Sequence, residues 1–184
     1  MTQPTRLRTK SLPHARIHGL PMRHLAPLIL LLAAACGGSD PKALTDAGVS
    51  ALGSGDAKSA LASFDDALAH MPANDPQLLR ASLGRVQALA RTEPAKAKEA
   101  FLALTESQKS KINEGDFGLV VSELLRKNAN VEAVDVMNAG VKMFPESTKM
   151  LAVKTQVLEQ SKKSNDPAAL QKLRGLGYGG DLDH

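Results

Sequence analysis

From Asp40 onward the sequence predicts an all-α protein, an α-α superhelix of antiparallel helical hairpins, and three observations carry that expectation. The 184-residue chain is 43% apolar but only 3% aromatic, with no Trp, one Tyr and four Phe. A core drawn from Leu, Ala, Val and Met, with few β-branched runs, favours helix over sheet. Apolar residues recur at steps of three and four, as in Leu61, Phe64, Leu68 and Met71 or Val134, Met137, Val141 and Phe144, which is the period of one helix face. The punctuation also repeats: Asp40-Pro41, Asp75-Pro76 and Asp166-Pro167 each set a capping carboxylate before a proline. Asp accepts hydrogen bonds from free amides at a helix start, and proline fits the first turn, where its missing N–H costs nothing. No alternating run bounded by hairpin turns is present, which argues against strands.

Taken in order, the signals predict eight helices. The first runs 41–53 behind Asp40, and the second runs 57–71 with Asp56 as cap. The third runs 76–91 behind Asp75, and the fourth runs 94–106 behind the looser Thr92-Glu93-Pro94. The fifth and sixth, 115–127 and 131–144, are separated by a short polar link in which Asn130 is a candidate cap. The seventh runs 147–163, and the eighth runs 167–174 behind Asp166. Such short connections make neighbours antiparallel. The stretch Ser107–Asn113 reads either as a connection or as an extension of the fourth helix. Residues 41–174 are thus one helical repeat domain, and the glycine-rich stretch 175–184 is expected to be a flexible tail.

Paired short helices call for a search for repeats. Leu44, Ala47, Gly48, Ala51, Ala60, Phe64, Ala67 and Pro72 fall at spacings that resemble the tetratricopeptide repeat, a 34-residue helical hairpin. Ala133, Met137, Gly140 and Pro145 repeat the second-helix half, and Ala97 and Phe101 match part of it. In that family small residues let two helices approach, a large one plugs the gap between them, and proline stops the second helix. The chain departs from the pattern: Leu44 and Ala51 stand where aromatics are usual, the middle unit slips by a residue, and Val120 and Val121 occupy the Leu and Gly places. The resemblance implies about three and a half degenerate units. It also implies that Leu170, Leu173 and Leu176 close the end of the array, since each hairpin otherwise leaves an apolar face open.

Before Asp40 the chain changes character. Leu25–Ala35 is an apolar run of eleven residues behind Arg23 and His24. As a helix it is roughly 16 Å long against about 30 Å of hydrocarbon, too short to span. A basic start, a short apolar middle and small residues before a cut make a secretion signal. The segment Leu32-Ala33-Ala34-Ala35-Cys36 resembles the lipobox of bacterial lipoproteins, with Ala33 where that family prefers Leu. The resemblance implies that residues 1–35 are removed, that Leu32, Ala33, Ala34 and Ala35 are read by the peptidase, and that Cys36 carries diacylglycerol. Residues 36–40 then form a lipidated tether, and Met22 is a candidate for the true start. Gly37 is not the Asp that holds such proteins in the inner membrane, which implies an outer-membrane anchor facing the periplasm. Several acyl chains anchor firmly, at about 0.8 kcal/mol per buried CH₂.

The formal charge of +4 belongs to the leader. Residues 1–35 hold five of the 23 basic residues and none of the 19 acids, leaving 18 against 19. No clustered basic face remains, so nucleic acid is not an expected partner. Catalytic groups do not converge either. Outside the leader the only histidines are His70 and His184, the single cysteine is Cys36, and the carboxylates lack metal-ligand spacing, so no enzyme activity, cofactor or metal site is expected. Gly175-x-Gly177-x-x-Gly180 matches a dinucleotide fingerprint as text, but it follows a helix rather than a strand. What remains is a surface. In the repeat family the first helices line a groove, and that resemblance places Lys42, Thr45, Val49 and Leu52, then Arg85 and Ala88, then Ser122, Leu125 and Arg126 along it. Arg85 and Arg126 are the residues expected to meet carboxylates of a protein or peptide partner in the cell envelope. The implied function is a membrane-anchored scaffold or assembly factor, or alternatively a ligand-binding or accessory subunit of an envelope enzyme.

Overall fold

The structure is a computed structural model that describes residues 40–180. The signal segment, Cys36, most of the tether and the last four residues of the tail lie outside the described residues. Among the described residues there are eight α-helices and no strand: α1 Pro41–Gly53, α2 Ala57–His70, α3 Leu78–Thr92, α4 Pro94–Ser107, α5 Glu114–Arg126, α6 Asn130–Met143, α7 Thr148–Ser164 and α8 Pro167–Gly175. They form consecutive antiparallel hairpins stacked into a superhelical array. The first helices of the hairpins, α1, α3, α5 and α7, touch in sequence and make one layer. In the other layer α4 meets α6 and α6 meets α8, whereas α2 and α4 scarcely touch.

Capping chemistry sets most helix starts. Asp40 accepts from the Lys42 amide at 3.0 Å, Asp56 from Ser59 at 3.0 Å, and Asp166 from Ala168 and Ala169 at 3.0 and 3.1 Å. Asn113 and Asp116 form a reciprocal capping box at the start of α5, satisfying two orphan amides at once. Four starts differ from expectation: α5 and α6 begin one residue earlier, α7 one residue later and α3 two residues later. The Asp75 carboxylate accepts from the Gln77 amide at 2.7 Å and closes a turn, so α3 begins at Leu78 rather than 76. Asn130 does not cap α6; it is the first helical residue, with Ala129 before it. The left-handed Asn128 (φ 56°) turns the chain so that Asn130 faces inward, where its amide donates to Ser164 and Asp166. Ser107–Asn113 is a connection: α4 stops at Ser107, and buried Ile112 pins the turn to the core.

The core has two clusters. The smaller joins Leu52, Ala60, Phe64, Ala81 and Ala88 of the first three helices. Phe64 fills the gap between α1 and α3 so closely that a Cβ on Gly48 would lie 2.8 Å from its ring, and a Cβ on Gly84 2.3 Å. The larger cluster runs from Val86 to Leu173. At its centre Phe101 and Phe117 pack edge to face at 4.9 Å, and Phe117 packs likewise on Phe144 at 5.9 Å. Of the residues matched to the repeat, Gly48, Ala60, Phe64, Ala67, Ala97, Phe101, Ala133, Met137 and Gly140 are buried, and Pro72 and Pro145 lie exposed at turns. At the C-terminal end Leu173 is buried and Leu176 and Tyr178 pack against the core. The Tyr178 amide donates to the Leu173 carbonyl at 2.9 Å, and the Lys154 ammonium sits 4.9 Å from the Tyr178 ring centre. The stretch expected to be flexible from 175 onward therefore opens with a docked segment, because a leucine and a tyrosine cover an otherwise open apolar end.

Candidate interaction site on the inner face

The layer made by α1, α3, α5 and α7 carries two cavities. The larger, of about 650 Å³, is bordered by Val49, Leu52 and Gly53 of α1 and by Leu79, Arg80, Leu83, Gly84, Gln87 and Arg91 of α3, with Pro76 at its lip. The smaller, of about 420 Å³, is bordered by Ser122, Leu125 and Arg126 of α5 and by Gln156, Glu159, Gln160 and Lys163 of α7. Aliphatic side chains predominate around the first, and six of the seven residues around the second are polar or charged. Leu119, 40% exposed, precedes Ser122 by one turn and Arg126 by two, so it shares their face of α5.

An ionic cluster centred on buried Glu123 separates the two cavities. Glu123 is 8% exposed and accepts Arg91 side-on, at 3.2 Å from Nε and 2.9 Å from Nη2. It also accepts Arg126 Nη2 at 2.6 Å. Arg91 Nη1 donates to the Leu52 carbonyl at 2.8 Å. One guanidinium thus ties the end of α1 to α3 and α5, with the bidentate geometry that makes arginine–carboxylate pairs strong. At the other end of the larger cavity Asp46 accepts Lys42 at 3.0 Å and Arg80 at 2.7 Å. These contacts, Lys42 first, hold the Asp46 carboxyl below its usual value.

Six of the nine residues expected in the groove fall as follows. Val49 and Leu52 border the larger cavity, and Ser122, Leu125 and Arg126 the smaller. Lys42 is exposed beside Asp46 but borders neither. Three placements are corrected. Thr45 is buried and donates back to the Pro41 carbonyl at 2.8 Å. Ala88 is buried with Phe64 in the smaller core cluster. Arg85 turns to the opposite layer, pairs with Asp65, and borders a separate cavity of about 480 Å³ where α2 and α4 splay apart. The reason is geometric. Two helices that border one cleft present opposite flanks to it, so a register carried unchanged from α1 to α3 rotates out of the cleft. Arg80, Leu83, Gln87 and Arg91 were legible as a stripe at steps of three and four on α3, but nothing in the sequence told which stripe faced inward.

Among the described residues no group of His, Cys, Asp and Glu is placed to hold a metal ion, and no helix is long and apolar enough to cross a membrane. Fold and site together define a stack of α-hairpins with an open, partly apolar groove on one layer. No protein-family model, curated protein or solved structure matches the chain.

Proposed function

We propose that this protein is a lipid-anchored scaffold of the bacterial cell envelope, with degenerate tetratricopeptide-like hairpins whose inner layer holds a segment of a partner protein. The observation that carries the reading is the groove between α1 and α3, in which exposed Val49 and partly exposed Leu79 and Leu83 border a cavity of about 650 Å³. A concave apolar site with a few fixed polar groups is what a ligand-binding surface requires. The lipobox-like Leu32–Cys36 segment supports the anchor, and the surface would then face the periplasm from the outer membrane. The same cavity volume also supports a second reading, a small amphipathic ligand held between α1 and α3, which fits an accessory subunit.

Two experiments test the proposal. Replacing Gln87, half-buried on the cavity wall, with a photo-crosslinking residue in the full chain should capture one partner protein from its own envelope. The same residue at Ala62, exposed on α2, should not. Equal capture at both positions rejects the groove. Cys36→Ser should release the protein from membranes or leave it unprocessed, and an unchanged acylated membrane protein rejects the anchor.

A further inference from the structure

The larger cavity is bracketed by charge. Arg80 and Arg91 stand eleven residues apart on α3, three turns and only about 20° off the same face, so they lie about 16 Å apart along the helix. Each belongs to a cluster in which two cations share one carboxylate: Lys42 and Arg80 about Asp46, and Arg91 and Arg126 about Glu123. Each end of the trough therefore carries a formal excess of one positive charge, and no residue bordering the cavity is acidic. Both guanidiniums keep donors in reserve. Of five N–H groups, Arg80 uses only those on Nη1, and Arg91 uses one on each nitrogen and keeps two.

Resting on the reading of this layer as a partner groove, we propose that the partner segment is an extended acid-x-apolar-x-acid peptide. An extended chain rises about 3.3 Å per residue and shows alternate side chains on one face. Its first, third and fifth residues then face the groove, the outer two about 13 Å apart at Cα. Glutamate side chains flaring outward reach the two arginines, and the central apolar side chain enters between Val49 and Leu83. A single-headed amphiphile satisfies one end only and leaves the other guanidinium facing hydrocarbon, which disfavours it.

Fluorescence anisotropy of the full chain with a labelled, end-blocked Glu-Ser-Leu-Ser-Glu peptide tests this. Binding should saturate, weaken with salt, and fall at least about tenfold in the Arg80→Glu variant, the loss expected for charge-assisted bonds. One of the two hybrid peptides, Lys-Ser-Leu-Ser-Glu or Glu-Ser-Leu-Ser-Lys, should regain affinity for Arg80→Glu, and which one does so reports the peptide's direction. Arg80 is exposed, and circular dichroism of Arg80→Glu should match the parent. Equal binding of Gln-Ser-Leu-Ser-Gln, rescue by neither hybrid, or full displacement by dodecanoate overturns the bracket. Absence of peptide binding while Gln87 still crosslinks its partner also overturns the bracket and leaves the groove standing. Loss of both removes the groove as well.

Discussion

At the scale of single residues, the first hairpin is held by one ring against two missing side chains. Phe64 is fully buried, and Gly48 and Gly84 leave it the room it occupies. Phe64→Ala should cost about 3–5 kcal/mol, the range for deleting a buried aromatic. Gly84→Ala should also destabilise, by about 1–3 kcal/mol, because its methyl enters the ring. The two should not add: in Phe64→Leu the cost of Gly84→Ala should shrink. Denaturant unfolding of the four species reads this coupling, and strict additivity would place Gly84 elsewhere than against Phe64. Phe64 and Gly48 were legible because their spacing matched a known hairpin. Gly84 was not, because the second hairpin lacks the terminal proline and its register slips by a residue, although Ala97 and Phe101 match. Arg85 stood in the expected groove in place of Arg80 for a different reason, the opposite flanks that α1 and α3 turn to their shared cleft.

At the scale of elements, helix starts were legible to within a residue wherever a side chain caps its own helix. Asp40, Asp56 and Asp166 do so, and α1, α2 and α8 start where the sequence placed them. Boundaries shifted where the polar side chain serves another purpose, as Asp75 does in its turn and Asn130 does in the core. Asp166 combines both uses. Its carboxyl is held below its usual value, first by the Ala169 amide and then by the Asn130 side chain. A carboxyl depressed in the folded state stabilises it above the unfolded value near 3.9 and loses that contribution as pH falls through the folded value. Asp166→Ala should therefore cost about 1 kcal/mol near neutral pH, and the gap to the parent should close as pH drops well below 4. Paired denaturation curves at neutral and acid pH measure it, and a gap that persists in acid would mean the loss is not one of the ionised cap. The tail was read as loose because glycine dominates it, yet Leu176 and Tyr178 outweigh the glycines. A chain ended at Gly175 should gain exchange of α7 and α8 amides, with α1 and α2 unaffected, as expected when each hairpin touches only its neighbours.

At the scale of the molecule, the all-helical hairpin array was legible from periodicity and punctuation, whereas the bonds that join hairpins were not. Helical spacing reports which face of a helix is apolar, but a contact between Arg91 and Glu123, 32 residues apart, leaves no periodic trace. That contact is central to the array. It links α3 to α5, and through the Leu52 carbonyl it reaches α1. It stands where α4 and α5 scarcely touch, so the junction between the second and third hairpins relies on α3 against α5 and α4 against α6. On the outer layer, Asp135 of α6 ties Lys98 of α4 at 3.4 Å to Lys172 of α8 at 2.6 Å, but those ends are more exposed and contribute less. Removing one partner of a largely buried pair strands the other, at a cost of about 3–5 kcal/mol. Glu123→Ala should accordingly destabilise by about that much, and Arg91→Met with Glu123→Leu should recover most of it, since an apolar pair of similar volume replaces a desolvated one. Hydrogen exchange separates this from a local effect. In Glu123→Ala the amides of α1, α2 and α3 should exchange faster while those of α7 and α8 keep their protection, because an array with one weakened junction opens there first. Uniform acceleration along the whole chain would show instead that the hairpins unfold as a single cooperative block to which Arg91 and Glu123 are incidental.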